Sequence, residues 1–114
     1  MIKFFKKIKK EPANLKDVLA RLKELEEFQE EILSKLNNSL QKVGIVRFNP
    51  FQENGGDQSF SVAVLDNSNN GFVITSHYGR EANRVYAKPV SKGVSSYSLA
   101  KEEQEAIAQA MGQK

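Results

Sequence analysis

Few side chains in this sequence have the types and spacing that chemistry requires. The single histidine, His77, stands close to Arg80, Glu81 and Arg84, with Tyr86 and Lys88 just beyond. A lone histidine beside charged groups can serve as a general acid or base. Arg80, Arg84, Tyr86 and Lys88 around it could hold an anion or a peptide. The competing reading is a partly exposed strand histidine held by a neighbour, on a solvated sheet face where long basic side chains cover apolar surface. The rest of the chain favours that second reading. There is no serine elbow, no phosphate-binding glycine loop and no multi-histidine metal spacing, so no metal, cofactor or catalytic residue is expected. Gly55-Gly56-Asp57 resembles the GGD of cyclic-dinucleotide synthases, but the rest of that motif is missing, and a tight turn entering a strand explains it more simply.

The elements that position these residues follow from punctuation and period. From Val43 onward, Gly44, Pro50, Gly55, Gly56, Gly71, Gly79, Pro89 and Gly93 interrupt segments rich in β-branched and aromatic residues. Strands are expected at 43–49, 59–66, 71–78 and 83–90, joined by FNPFQENGGDQ, DNSNNG and YGREA, in which Asn and Gly accept left-handed backbone. A hairpin turn at Gly79-Arg80 would set Thr75 opposite Arg84 and Val73 opposite Tyr86, with Ile74 opposite Val85 and Phe72 opposite Ala87. Phe72, Ile74, Val85 and Ala87 then form the core face. Val73, Thr75, His77, Arg84, Tyr86 and Lys88 form a polar, basic surface. Phe60–Asp66 has apolar residues on both faces, which suggests a sheet covered on both sides. Ser98 is placed to cap a last helix through Met111, with Leu99, Ala106, Ile107, Ala110 and Met111 on its apolar side.

Ahead of the sheet, Ala13 to Lys42 contains neither Gly nor Pro and reads as one helix, with Asn14 as N-cap and Asp17 in its first turn. Leu15, Val18, Leu22, Leu25, Gln29, Ile32 and Leu36 follow a heptad-like spacing, Gln29 being the polar member. Leu19, Phe28, Leu33 and Leu40 widen the stripe beyond a two-stranded seam. The helix can therefore pair with a copy of itself, or pack on its own sheet. The architecture is α+β: a long coiled-coil-like N-terminal helix, an antiparallel sheet of about four strands and a C-terminal helix. The segments are 1–12, 13–42 and 43–114.

The first ten residues, MIKFFKKIKK, end before Glu11-Pro12. On a helix, Ile2, Phe4, Phe5 and Ile8 join Met1 on one side, while Lys3, Lys6, Lys7, Lys9 and Lys10 take the other. Such a helix is about 15 Å long, too short to hold itself together in water. A membrane surface would order it: the apolar side enters the headgroup boundary and the lysines meet anionic lipid. The charge distribution agrees. The chain has 114 residues and a formal charge of +3. Residues 1–10 carry +5, residues 11–42 carry −2, and residues 43–114 are neutral. Nucleic-acid binding usually needs a basic face on the folded domain and is not expected here. There is no cysteine, which excludes disulfides and thiolate metal sites. The longest apolar run, Val62-Ala63-Val64-Leu65, is far short of the roughly 20 residues of a membrane span. No apolar stretch of secretory length follows the basic start, so a cytoplasmic address is expected, peripheral at the inner face of the cell membrane.

GGDQSFSVAVLD at 55–66 and GFVITSHYGREANRVYAKPV at 71–90 resemble the core of the bacterial domain of unknown function 4446 family, and SLAKEEQEAI at 98–107 is similar to its closing helix. The resemblance covers roughly 43–110. Members typically have an N-terminal transmembrane helix and a coiled-coil-prone stretch before this domain. The basic decamer stands here where the spanning helix would be. The resemblance implies a membrane-proximal domain and supplies no activity. The preferred reading is a non-catalytic structural or interaction protein at the inner membrane surface, a homo-oligomer through its long helix with a further protein partner unnamed. The alternative is a soluble ligand-binding or catalytic domain that uses the surface of His77, Arg80, Arg84, Tyr86 and Lys88.

Overall fold

A computed structural model describes residues 11–49 and 58–113. The amphipathic decamer and the Gly55-Gly56-Asp57 turn lie outside the described residues. The chain divides into two compact units, 1–35 and 36–114.

Helix α1 runs over Leu15–Asn37, all but its last two residues in the first unit. Its start is the expected one. The Asn14 side-chain oxygen accepts the Asp17 N–H at 2.9 Å, and the Asp17 carboxylate accepts the Ala13 N–H at 3.1 Å. Its end comes earlier than the reading to Lys42. Ser39 competes for a backbone partner, as short polar side chains do. The Ser39 hydroxyl donates to the Leu36 carbonyl at 2.6 Å, and the Gln41 side-chain amide donates to the same oxygen at 2.8 Å. Leu40 is therefore beyond the helix.

The second unit holds four strands in the order β1-β2-β3-β4, all antiparallel: β1 Lys42–Phe48, β2 Ser59–Leu65, β3 Gly71–Tyr78 and β4 Asn83–Val90. Helix α2, Lys101–Ala110, follows. The β2–β3 turn is organised by the Asp66 carboxylate, which accepts the N–H groups of Ser68 and Asn70, and Asn69 takes φ of 65°. The left-handed position thus falls on one of the expected asparagines. A second tight turn, Ser91 to Val94, has Lys92 and Gly93 at φ of 51° and 82°. It closes on reciprocal Ser91–Val94 backbone bonds, a hairpin that the strand reading had missed.

The register differs from the expected one by two residues. Tyr78 pairs with Asn83, His77 with Arg84, Thr75 with Tyr86, Val73 with Lys88 and Ile74 with Ala87. The connection is the four residues 79–82 rather than a two-residue turn. A two-residue slip preserves which side chains share a face, because the strand period is two. The two face sets are therefore those expected, but their roles are exchanged. The side under α2 holds Gly44, Ser59, Ser61, Ala63, Leu65, Val73 and Thr75, all at or near full burial. Phe72, Ile74, Val85 and Ala87, expected as core, lie on the opposite side.

The cause is distance. α2 sits so close to β1 that a Cβ at Gly44 would lie 2.0 Å from the Ala106 carbonyl oxygen and 2.7 Å from the Ala110 nitrogen. Nothing larger than a hydrogen fits at that crossing, and the small residues Ser61 and Ala63 lie beside it on β2. The buried apolar cluster is accordingly Ala63, Leu65, Val73, Val90, Ala106, Ile107 and Ala110, with Val46, Leu99 and Met111 packed on it. The helix residues are those expected. The Ile45 N–H donates to the Gln109 side-chain oxygen at 3.2 Å, giving that N–H of an edge strand a partner.

The close approach sets a stability prediction. Gly44→Ala should cost about 1–3 kcal/mol, because both clashing atoms are backbone and cannot rotate away. Gly112, at φ of 81°, ends α2 with open space around it. Gly112→Ala should cost only the left-handed conformational penalty, about 1–2 kcal/mol. Urea denaturation of both variants checks the pair. A Gly44→Ala chain as stable as the parent would show that α2 is seated farther from the sheet.

Candidate functional site

Three adjacent rows on the α2 side of the sheet carry the residues that the sequence singles out. The first row runs Phe48, Ser59, His77, Arg84, the second Val46, Ser61, Thr75, Tyr86, and the third Gly44, Ala63, Val73, Lys88. His77, Arg84, Tyr86 and Lys88 therefore do share a face. They do not form one site.

Lys88 is committed to the interior. Its ammonium donates to the Glu103 carboxylate at 2.8 Å and to the Ser98 carbonyl at 2.7 Å. Glu103 is 1% exposed. Its Oε1 also accepts the Ala100 N–H at 2.8 Å, and its Oε2 accepts the Thr75 hydroxyl at 2.9 Å. The Thr75 hydroxyl in turn lies 2.7 Å from that of Ser61. Every buried side-chain polar atom among the described residues has a partner. Burial by itself would push the Glu103 carboxyl up. Hydrogen bonds from Lys88, the Ala100 N–H and Thr75, together with the lysine charge, outweigh it and hold the group below the ordinary glutamate value. The first turn of α2 is thus tied down by a glutamate three residues past its N-cap, Ala100. Ser98, the cap expected from the sequence, instead offers its carbonyl to Lys88.

His77 is held edge-on between two rings, with centroids 5.5 Å from Phe48 and 6.2 Å from Tyr86. Arg84 is its cross-strand partner and is exposed. Arg80 falls in the β3–β4 connection. Tyr86 is also exposed. No cluster of three metal-ligating side chains exists among the described residues. A cleft on α2, lined by Leu99, Gln104, Ile107, Met111 and others, has a volume of about 170 Å³, below the roughly 300–1,000 Å³ of small-molecule sites. The chemistry that this geometry supports best is structural: an ion pair that seats a helix and a histidine packed between aromatic rings.

The heptad positions form the other candidate site. No residue of α1 is buried, and Leu15, Val18, Leu22, Leu25, Ile32 and Leu36 are all exposed, as are the flanking Leu19 and Leu33. Sequence reasoning missed Glu103. The available signal was the alternation of Ser59, Ser61 and Ala63 in a strand, since the cap three residues before Glu103 is Ala100, which announces nothing.

A family model described as a protein of unknown function, DUF4446, matches residues 3–111. The match takes in the decamer from its third residue, α1 and the whole sheet unit, well beyond the 43–110 of the sequence resemblance. The chain belongs to this family. No curated protein and no solved structure matches it. None of the described helices is long and apolar enough to cross a membrane.

The Glu103 network yields a pH prediction. Glu103→Ala leaves Lys88, Thr75 and the Ala100 N–H without their shared acceptor and should cost about 3 kcal/mol at neutral pH. A carboxyl held low in the folded state contributes stability above its unfolded pKa and loses it as pH falls through the folded value. The stability gap between parent and variant should therefore shrink in acid, below the ordinary glutamate range. Urea midpoints measured from pH 7 down to pH 3 would show it; a gap independent of pH would mean that the charge on Glu103 is not what holds α2.

Proposed function

We propose that this member of the DUF4446 family is a non-catalytic interaction protein that self-associates through α1 and works at an anionic membrane surface. The observation that carries the reading is the accessible apolar stripe of α1, with large side chains exposed from Leu15 to Leu36. A 23-residue helix is about 35 Å long, and helices of this kind gain most of their stability from packing an apolar face. Leu15, Val18, Leu22, Leu25, Ile32 and Leu36 at alternating steps of three and four suit the seam of a helix pair, with Gln29 setting register by its need for a polar partner. Glu26 flanks the stripe, and glutamates at 24, 27, 30 and 31 make the far side of the helix polar.

The membrane contribution belongs to the decamer and rests on sequence alone. Five lysines opposite Met1, Ile2, Phe4, Phe5 and Ile8 give about 1 kcal/mol each near an anionic surface, together with apolar insertion. One such segment is a weak anchor. Two or more, joined by helix pairing, bind as a multivalent unit whose avidity exceeds that of either alone. Self-association and membrane attachment are thereby coupled.

The full chain should be a dimer or larger at micromolar concentration and should sediment with anionic but not neutral vesicles. Leu22→Asp with Leu36→Asp should weaken self-association at least tenfold and reduce vesicle binding with the decamer untouched. Phe4→Ser with Phe5→Ser should reduce vesicle binding at constant charge and leave self-association as it was. Light scattering that finds the helix variant associated as tightly as the parent would refute the pairing. Equal sedimentation with neutral and anionic vesicles would refute the anchor.

A further inference from the structure

The sheet face turned away from α2 consists of three cross-strand rows. These are Val43, Val64, Phe72, Pro89; then Ile45, Val62, Ile74, Ala87; then Arg47, Phe60, Ser76, Val85. Only Arg47 and Ser76 are polar, and both sit in the last row. Most of the larger apolar side chains of the sheet are thus on its open side, while the side under α2 combines Gly44, Ser59, Ser61, Ala63 and Thr75 with a smaller apolar set around Leu65, Val73 and Val90. That is the reverse of a sheet whose second face meets water, where polar residues alternate outward. We infer that this open face docks on the same face of a second copy of the chain. The inference stands on the sheet unit and does not rest on pairing through α1.

Width identifies the occupant. The inner positions on β2 and β3 are already half-buried by their neighbours. The greatest exposure is at the two edges: Val43 at 57% and Ile45 at 55% on β1, and Val85 at 67% on β4. Four strands span about 19 Å, whereas a helix with its side chains is about 10–12 Å across. A helix laid on the middle strands would cover what is least exposed and leave both edges wet. A second four-stranded sheet covers all three rows at once, at the usual sheet separation of about 10 Å.

The area fits a weak, reversible dimer. Four strands about 4.8 Å apart and three rows about 7 Å apart give a face of roughly 400 Å² in projection, the size of a functional patch on a monomer. Two such faces bury on the order of 800–1,000 Å², in the range of transient rather than obligate interfaces. A two-fold axis through the face makes the contact self-complementary and closed.

The test uses the full chain carrying Leu22→Asp and Leu36→Asp, so that any remaining association belongs to the sheet. This chain should still dimerise by sedimentation equilibrium. Adding Ile45→Glu and Val85→Glu, both at exposed positions, should weaken the dimer at least tenfold with an unchanged circular dichroism spectrum. Because the chain has no cysteine, Val62→Cys supplies a unique label near the centre of the face. A bifunctional maleimide of about 10–15 Å reach should join Val62→Cys copies to each other. A parent that associates while the helix variant is strictly monomeric would overturn the inference and leave α1 pairing standing. Cross-linking of Val62→Cys to a Leu25→Cys copy, with none between Val62→Cys copies, would overturn it in favour of a docked helix. Unchanged dimerisation of the Glu variant would overturn it as well.

Discussion

A carboxylate taken out of water must be compensated several times over, and in this unit one group carries that requirement. Glu103 is buried beneath the first turn of α2, where it gathers an ammonium, a hydroxyl and a backbone N–H. Lys88 reaches it from β4, Thr75 from β3, and Ser61 of β2 extends the chain one step further. Two strands and a helix terminus therefore share a single acceptor, and a third strand joins them through Thr75. Losing one member leaves the others buried without partners, which is the costly outcome for such networks. The network also explains why so few apolar residues suffice on that side, since the buried cluster has only Leu65, Ile107 and two valines among its larger members.

The seat of α2 decides the character of both sheet faces. With the Ala106 carbonyl lying over Gly44, the layer between helix and sheet is thin, and thin layers admit Gly, Ala, Ser and Thr. Most of the bulky Val, Ile and Phe residues of the same strands are left on the other face by the alternation of the pleat. Sidedness in this fold is thus set by polar bonding and close approach rather than by the search for the most apolar face. The α2 side consequently joins a satisfied polar network to a small apolar cluster, and the open side is mostly apolar.

That inversion marks where the sequence could be read and where it could not. The strands, the N-cap at Asn14, the left-handed asparagine in the β2–β3 turn and the apolar side of α2 were all legible, because each depends on local chemistry. The β3–β4 register was misread by two residues because Gly79-Arg80 looked like a complete turn, whereas the connection runs from 79 to 82. The period of two protected the face sets from that error. The choice of covered face had no such protection. The rule that apolar residues go inside points to Phe72 and Ile74, and nothing local announces that a glycine in β1 admits a helix backbone. Of the candidate site, His77, Arg84, Tyr86 and Lys88 were correctly grouped on one face. Lys88, however, was read as surface because its partner, Glu103, is distant in sequence.

The two exposed apolar surfaces of this chain differ in kind, and the difference bears on how copies assemble. The stripe of α1 is long and narrow and suits another helix; the open sheet face is short and broad and suits another sheet. Under the pairings proposed above, each would meet its own copy about a two-fold axis. If one axis serves both surfaces, the result is a closed dimer with two reinforcing interfaces. If the axes differ, each copy bonds to two neighbours and the assembly propagates rather than closing.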